Sequence, residues 1–293
     1  KECEGNPRYK FIKGDICNRE LVEFIFNEYD IEGVIHFAAE SHVDNSIKNP
    51  GVFIETNVNG TFTLIDVAYK YWMEKPFTYK EKYKKCRFHH ISTDEVYGTL
   101  SDDPKDLFTE ETPYAPNSPY SASKASSDMV VRSYQETYGL NTVITNCSNN
   151  YGPKQHDEKL IPTIIRKALA NEAIPIYGDG KNIRDWLYVL DHCKGIDRVY
   201  HTGKEANVYN IGGRNERTNL QIVDRICTIL DERVPKEKSY KELITFVEDR
   251  AGHDRRYAID ATKLENELGW KADENFDTGI VLTIDWYLEK YAI

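Results

Sequence analysis

Short apolar runs alternate with longer segments of helical pattern through the first half of the chain. This alternation is typical of βαβ units that build a parallel sheet. Ligands of such sheets bind at the carboxyl ends of the strands, so the residues just after each apolar run are the first candidates for function. In chain order, the pattern predicts a strand at 33–39, a helix at 57–72, a strand at 87–93, a helix at 119–138 and a strand at 141–147.

The second half of the chain is less regular. We expect a doubly wound, Rossmann-like α/β fold with a smaller interleaved α/β domain, the larger domain taking residues 1–148 and 182–218 and the smaller one 149–181 and 219–293. The elements predicted here are helices at 161–172, 191–203 and 276–291, and strands at 174–180 and 243–249.

The glycine-rich fingerprint of dinucleotide-binding domains, GxGxxG or GxxGxxG, does not occur in this sequence. The first recognisable strand, at residues 9–16, looks like the third strand of such a domain. Because a βαβ unit takes about 30 residues or more, we expect about that many residues ahead of Lys1.

The composition is that of a globular protein, with 40% hydrophobic and 29% charged residues. The net charge of −10 argues against a large surface for nucleic acid or anionic membrane, since both favour clustered Lys and Arg. The six cysteines are scattered without a CxxC pair, so no metal site is expected. No apolar run reaches the length of about 18 residues that a membrane span needs, and a cytoplasmic location is the default.

A Tyr-x-x-x-Lys pattern places both side chains on one helical face, where the ammonium can lower the pKa of the tyrosine. The pattern occurs five times in this sequence, so context must select among the copies. Only Tyr120 and Lys124 follow an N-cap and first-turn pair, Ser118-Pro119, and open a long helix with small residues that leave room for a ligand. The other copies are better explained as surface pairs.

The predicted strand at 87–93 ends in a hydroxyl followed by two carboxylates: Thr93, Asp94 and Glu95. Two carboxylates in different environments can serve as acid and base. The alternative is a solvated Asp-Glu turn. The presence of Tyr120 in the same chain favours the catalytic interpretation.

Weaker candidates lie elsewhere in the sequence. Asp15 and Ile16 follow a predicted strand and could hold an adenine, and the small Ala38 and Ala39 would let a cofactor approach the backbone. Basic residues of the second half could bind a diphosphate, although each taken alone is better explained as a surface charge. They are Lys159, Arg184, Arg250, His253, Arg255 and Arg256.

Together these motifs resemble the extended short-chain dehydrogenase/reductase family and, within it, the dTDP-glucose 4,6-dehydratases. The TDE triplet separates that branch from epimerases and reductases. Residues that depart from the branch, Asn45, 154–157 and Ala251, lie off the catalytic set. The resembling segments span nearly the whole chain: KGDI, HFAAESHVDNSI, STDEVYG, SPYSASKASSD, TNCSNNYGP, EKLIP, IRDWLYVLDH, YNIGG and DRAGHDRRYAID.

The resemblance implies a homodimeric, NAD-dependent lyase of deoxysugar biosynthesis that acts on dTDP-glucose. It implies an NAD-binding first domain and a nucleotide-sugar-binding second domain. The implied catalytic residues are Thr93, Asp94 as acid, Glu95 as base, Tyr120 and Lys124. The implied NAD site comprises Asp15, Ile16, Ala38, Ala39, Tyr120, Lys124 and Asn146. The implied substrate site comprises Ser41, Thr93, Asn149, Lys159, Leu160, Tyr177, Arg184, Asn219, Arg250 and His253.

Two rivals stay open at the level of sequence. An NAD-dependent nucleotide-sugar epimerase or decarboxylase would keep Tyr120 and Lys124 but would have no use for Asp94 and Glu95. A non-catalytic nucleotide-sugar-binding relative would fit the missing glycine fingerprint.

Overall fold

A computed structural model of the chain describes residues 3–249 and 252–291. The α-helices are α1 (Arg19–Tyr29), α2 (Val43–Lys48), α3 (Pro50–Phe53), α4 (Gly60–Trp72), α5 (Pro119–Tyr138), α6 (Leu160–Leu169), α7 (Val189–Thr202), α8 (Asn219–Arg233), α9 (Thr262–Leu268) and α10 (Phe276–Tyr291). A π-helical segment, Ile54–Asn59, joins α3 to α4, and short 3₁₀ helices cover Glu81–Tyr83, Asp94–Tyr97 and Tyr240–Leu243.

The β-strands form a central parallel sheet and smaller sheets. They are β1 (Gly33–His36), β2 (Met73–Lys75), β3 (Thr78–Tyr79), β4 (Arg87–Thr93), β5 (Thr142–Cys147), β6 (Asn149–Tyr151), β7 (Ile174–Tyr177), β8 (Ile183–Tyr188), β9 (Asn207–Ile211), β10 (Glu216–Thr218) and β11 (Ile244–Val247). The central sheet has the order β1-β4-β5-β9, with every pair parallel. The smaller sheets have the orders β10-β8-β6, β11-β7 and β2-β3.

The α/β fold class is confirmed, and several element bounds agree closely with the prediction. Strand β4 and helix α5 begin and end at the predicted residues, and β5 differs by one residue. Both strands are largely buried, although each mixes apolar residues with polar ones, and α5 begins with the cap expected at Ser118.

Separate hydrophobic cores lie beneath the central sheet and in the second half of the chain. One core packs α1, α4 and α5 against β4, around Trp72 and Phe88, both fully buried. Another packs α6, α8 and α10 against β7 and β8, around Ile226 and Tyr287, also fully buried. The carboxyl edge of the central sheet faces the groove between these two cores.

The prediction of a strand at 9–16 is wrong. In the described part of the chain this segment has no strand partner, and Tyr9 and Phe11 are 49% and 71% exposed. A strand is stable only where its backbone groups are paired with a neighbour, and β1 pairs with β4 alone among the described strands.

The predicted strand at 33–39 is shorter than expected because the chain leaves the sheet after His36. The side chain of Asn57, in the π-helical segment, accepts a hydrogen bond from the backbone N–H of Glu40 and donates one to its carbonyl, at 2.8 and 3.0 Å. The backbone groups of Glu40, just past β1, are therefore paired with the side chain of Asn57 and not with a neighbouring strand.

None of the described helices combines the length and the apolar character that a membrane-spanning segment requires. Across residues 3–249 and 252–291, no group of three or more His, Cys, Asp or Glu side chains is placed to hold a metal ion.

Candidate active site

The carboxyl ends of β4 and β5 bring the strongest sequence candidates together. Thr93, the last residue of β4, pairs in register with Cys147, the last residue of β5. Asp94 and Glu95 then form the first turn of a 3₁₀ helix, with the side chain of Thr93 as its N-cap accepting the backbone N–H of Glu95 at 3.3 Å. The strand end therefore aims a hydroxyl and two carboxylates at one edge of the sheet.

Helix α5 places Tyr120 and Lys124 against this edge. Its first turn is held by a capping box, in which Ser118 accepts the backbone N–H of Ser121 at 3.0 Å and Ser121 accepts that of Ser118 at 2.9 Å. The predicted N-cap at Ser118, with Pro119 at the first helical position, is confirmed. Tyr120 is therefore fixed at the start of the helix, where the hydroxyl group can reach the end of β4.

Both side chains of the selected Tyr-x-x-x-Lys pair are buried. The lysines of the other copies, Lys13, Lys75, Lys181 and Lys204, are exposed. The sequence features that favoured Tyr120 and Lys124, a capped helix start and small neighbouring residues, therefore identified the buried pair. The ammonium group of Lys124 donates a hydrogen bond to the carbonyl of Ile91 at 2.8 Å, which anchors it beneath β4.

The pKa of Tyr120 is raised well above its ordinary value, contrary to our expectation that Lys124 would lower it. Burial is the main cause, and the neighbouring carboxylate of Glu95 adds to it, while a hydrogen bond with Thr93 acts in the opposite direction. Burial also shifts the pKa of Lys124, which it lowers. Desolvation opposes both charged forms of the pair, and spacing along a helix does not reveal burial.

The two adjacent carboxylates differ in environment. Asp94 is 1% exposed, and burial, followed by the charge of Glu95, raises its pKa well above the ordinary value. Arg184 and the hydroxyl of Thr93 partly offset this shift. Glu95 is only half-buried and lines an open cavity. Burial therefore favours the neutral form of Asp94, whereas Glu95 contacts the cavity.

A cavity of about 240 Å³ opens in front of Glu95, between the central sheet and the second core. It is lined by Ser41, His42, Val43, Asp44, Glu95, Asn149, Glu158, Lys159, Leu160, Thr163, Ile164, Pro175, Tyr177, Arg184, Trp186, Asn219 and His253. Strand ends, loops and helices far apart in sequence meet in its wall.

Most of the residues expected to bind substrate lie in this wall. The structure brings together Ser41, Asn149, Lys159, Leu160, Tyr177, Arg184, Asn219 and His253. Thr93 lies beside Glu95 behind the cavity. Arg250 lies outside the described residues.

The basic side chains of the cavity are held in place by neighbouring groups. Lys159 donates to the carbonyl of Ser41 at 2.8 Å, joining the two sides of the cavity. The guanidinium of Arg184 stacks 4.2 Å from the ring centroid of Tyr257. His253 lies 2.6 Å from a carboxylate oxygen of Asp249.

Sequence reasoning missed several residues of the cavity wall. His42, Asp44 and Glu158 carry polar groups there, and Trp186 supplies an aromatic surface. The signal available for His42 and Asp44 was their place a few residues after a predicted strand. Glu158 and Trp186 lie in two of the resembling segments, EKLIP and IRDWLYVLDH, but neither residue was singled out there.

The residues expected to bind a dinucleotide border the π-helical segment. Ile16 packs on Gly60 so closely that a Cβ there would lie 2.5 Å from it, and the thiol of Cys17 contacts the Glu55 carbonyl at 3.3 Å. Asp15 and Ala38 are exposed and Ala39 is half-buried. These small and exposed groups beside a strand end fit a cofactor lying across the carboxyl edge of the sheet.

Asn146 lies deeper than the other residues of this set. It is fully buried, and its side-chain amide donates to the hydroxyl of Tyr97 at 2.7 Å. Its carbonyl oxygen has no hydrogen-bond partner among the described residues.

Comparisons with known proteins agree with this arrangement. Residues 1–283 match the family model described as GDP-mannose 4,6 dehydratase. A dTDP-glucose 4,6-dehydratase of Escherichia coli is 54% identical over 294 residues, covering 98% of this chain and 81% of the relative.

Solved structures give the same result. A dTDP-glucose 4,6-dehydratase of Bacillus anthracis in complex with NAD aligns with a TM-score of 0.85 at 45% identity, covering 100% of this chain and 84% of that one. One from Streptomyces venezuelae, with NAD and TYD bound, aligns with a TM-score of 0.88 at 41% identity, covering 99% and 83%.

Fold and site together define a Rossmann-like enzyme with a buried tyrosine–lysine pair beside two carboxylates. With these identities over nearly its full length, the chain belongs to the dTDP-glucose 4,6-dehydratase family.

Proposed function

We propose that this chain is an NAD-dependent hydro-lyase that converts dTDP-glucose to dTDP-4-keto-6-deoxyglucose and water. The observation that carries the proposal is the contrast between a buried Asp94, whose pKa is raised, and a half-buried Glu95 in the cavity wall, both next to Tyr120. An acid and a base side by side are what an elimination of water requires.

In the first step, Tyr120 removes the proton of the sugar 4-hydroxyl as the hydrogen on C4 leaves as hydride, forming a 4-ketone. Thr93 positions the hydroxyl, and Lys124 contacts the nicotinamide ribose. When bound, NAD⁺ supplies the acceptor for this hydride, returns it later to C6, and brings a positive ring charge that favours a tyrosinate.

In the second step, the 4-ketone acidifies the C5 hydrogen, and Glu95 removes it as a proton. Asp94 donates its proton to the departing 6-hydroxyl, so that water leaves and a C5–C6 double bond forms. The returning hydride adds to C6 while Glu95 gives its proton back to C5. The high pKa of Asp94 supports the acid role because it holds the proton until elimination.

The resemblance implies the binding roles, and the composition of the cavity wall supports most of those on the substrate side. Asp15 and Ile16 hold the adenine, Ala38 and Ala39 face the dinucleotide, and Asn146 supports the strand end behind the nicotinamide. Lys159, Arg184 and His253 line the cavity, and with Arg250 they would donate hydrogen bonds to the diphosphate. The nucleoside and sugar would contact Ser41, Asn149, Leu160, Tyr177 and Asn219.

The domain division, assembly and location are also proposals. Residues 1–148 and 182–218 bind NAD, residues 149–181 and 219–293 bind the nucleotide sugar, and the enzyme serves deoxysugar biosynthesis in the cytoplasm. A homodimer is supported by exposed apolar side chains on the helical face of α4 and α5, where Phe62 and Met129 are 43% and 49% exposed.

The decisive experiment is a product assay with dTDP-glucose in deuterated water. We expect a product lighter by one water that carries deuterium at C5. Glu95→Gln should oxidise C4 but stall before water loss, whereas Glu158→Gln, a control carboxylate in the same cavity wall, should keep forming the product. A C4 epimer or a decarboxylated sugar would favour the rival enzymes, and absence of any turnover with bound NAD would favour a binding protein.

A further inference from the structure

A buried carboxylate outside the proposed reaction steps, Asp128, lies one helical turn beyond Lys124 on α5. Its exposed fraction is 0%. Residues four apart on a helix share a face, so the carboxylate and the lysine point into the same interior region beneath β4. Burying a carboxylate this deeply is unfavourable unless other groups compensate its charge.

Two hydroxyl groups compensate the charge on one oxygen of this carboxylate, Oδ2. Ser92 and Tyr114 each donate a hydrogen bond to Oδ2 of Asp128, at 2.8 and 2.9 Å. Burial raises the pKa of Asp128 to about 6, while Lys124 and these two hydroxyls oppose that shift. Near neutral pH the carboxylate is therefore mostly ionised.

The other oxygen, Oδ1, approaches Lys124 through one histidine. Oδ1 of Asp128 is 3.2 Å from Nε2 of His90, and Nζ of Lys124 is 3.5 Å from the same nitrogen. Burial and the charge of Lys124 lower the pKa of His90, so the ring is neutral. A single neutral ring therefore stands between an ammonium and a carboxylate.

Lys124 has few other sources of stabilisation for its charge. Burial lowers its pKa, and Asp128 is the first of the groups that raise it, followed by Cys147. Its hydrogen bond to the Ile91 carbonyl is made with a neutral acceptor. The carboxylate of Asp128 is thus the largest influence that favours the protonated lysine.

We propose that Asp128 is a positioning residue that acts through Lys124: its carboxylate, held by Ser92 and Tyr114, is the internal counter-charge that keeps this lysine protonated at the catalytic tyrosine. The electrostatic part of this inference stands on the geometry alone, and its consequence for catalysis rests on the proposed function.

The ionisable and polar groups around Asp128 are those whose charge can affect its pKa. The groups that face it are His90 and Ser92 from β4, Lys124 from α5, Tyr97 from the 3₁₀ helix and Tyr114 from the following loop. A narrow cavity of about 90 Å³ reaches it from the surface, and its wall includes Arg132 and Glu136, which form an ion pair at 3.5 Å.

The direct test is the titration of Lys124 by NMR of protein labelled with ¹³C at the lysine ε-carbon. The signal of Lys124 is the one missing from Lys124→Met. In Asp128→Asn we expect the pKa of Lys124 to fall by about one unit or more, a tenfold change in the protonation equilibrium. This readout needs no turnover, so its failure is distinct from failure of the proposed function.

The matched control is Asp66→Asn. Asp66 is another buried carboxylate that bonds to α5, accepting the hydroxyl of Tyr134 at 2.9 Å, and it pairs with Arg19 at 2.7 Å. Its removal should lower stability without changing the titration of Lys124. An unchanged Lys124 titration in Asp128→Asn would overturn the proposal.

A second variant keeps the test decisive if Asp128→Asn does not fold. Tyr114→Phe removes one hydroxyl that favours the ionised carboxylate, so the pKa of Lys124 should fall in the same direction by a smaller amount. In active protein, the acid limb of C4 oxidation should move to higher pH in the same variant. The inference would be contradicted if Tyr114→Phe showed both the wild-type pKa of Lys124 and the wild-type acid limb of C4 oxidation.

Discussion

Asp94 and Glu95 are neighbours in sequence but not in environment. The backbone turn after Thr93 directs one carboxyl into the interior, where burial holds its proton, and leaves the other half-buried at the cavity. Desolvation raises the pKa of Asp94, which is the direction that an acid role requires. The same shift has a measurable consequence for stability.

Asp94→Asn should stabilise the folded protein as the pH rises. The folded pKa of Asp94 is raised, so its contribution to stability is complete below the unfolded pKa and is lost as the pH rises through the folded pKa. Asparagine cannot ionise, and the gain should be on the order of 1 kcal/mol at neutral pH. Thermal denaturation across a pH series measures it.

Asp197→Asn is the control, because that side chain is 77% exposed and its removal should leave the pH series unchanged. If Asp94→Asn melts below the wild type at alkaline pH, Asp94 is ionised in the folded protein and the acid assignment is wrong.

Tyr120→Phe should abolish the first oxidation and not merely the loss of water. Without the hydroxyl no group accepts the 4-hydroxyl proton, so the rate of nicotinamide reduction in a single turnover should fall by about 10²- to 10⁴-fold. Tyr134→Phe, a buried tyrosine of the same helix that bonds to Asp66, is the control and should reduce the cofactor at the wild-type rate.

Two short elements carry the proposed catalytic groups: the start of α5 and the 3₁₀ helix after β4. Each is held by local bonds at its ends and by packing along its side. Because Tyr120 is the second residue of α5, a displaced first turn moves the reactive hydroxyl directly. The element ends are therefore sensitive positions for both stability and catalysis.

Ser118→Ala removes the N-cap of α5 and should lower the free energy of unfolding by about 1 kcal/mol. The activity should fall as well, because the first turn that holds Tyr120 loses its capping box. Ser133→Ala, an exposed serine in the same helix, should change stability by less than about 0.5 kcal/mol. Equal effects of the two changes, measured by denaturant unfolding, would contradict the role of the cap.

Gly98→Ala should disrupt the turn that ends the 3₁₀ helix. Gly98 has φ 97° and ψ −137°, and an added Cβ would lie 2.6 Å from the carbonyl oxygen of Ala115. We expect destabilisation of about 2 kcal/mol or more. At Gly269, φ is 65° and a Cβ would meet nothing within 4 Å, so Gly269→Ala should lose only about 1 kcal/mol. Calorimetry of both variants tests this order.

At the scale of the whole molecule, the cavity lies where residues that follow β1 and β4 approach the core of the second half of the chain, which contributes Ile164 and Trp186. Lys159 connects the two sides through its hydrogen bond to the Ser41 carbonyl, and the guanidinium of Arg184 stacks on the ring of Tyr257. The outer face of α4 and α5 is turned away from the cavity and keeps apolar side chains exposed. That face is the proposed dimer surface.

Phe62→Glu combined with Met129→Glu should convert the dimer to a monomer in sedimentation velocity, since burying two new charges in an apolar contact is unfavourable. Phe24→Glu, a 53% exposed aromatic on α1, serves as the control and should stay dimeric. A wild type that sediments as a monomer would remove the proposal of a homodimer.

The sequence by itself determined the α/β fold, the bounds of β4 and α5, and the selection of Tyr120 and Lys124 among similar pairs. Strands and helices follow from local periodicity and capping, which are properties of neighbouring residues. Most of the residues that line the cavity were indicated only by the resemblance. Nothing in the sequence around Lys159, Arg184 or His253 shows that these three side chains come together.

The tertiary structure alone decided how those groups behave. Residues 9–16 form no strand, and the pKa of Tyr120 is raised where we expected it to be lowered. Asp94 is buried, whereas Glu95 is only half-buried. The tertiary structure also placed Asp128 behind Lys124. Pairing, desolvation and charge depend on atoms that come from distant parts of the chain, and a linear pattern does not contain those distances.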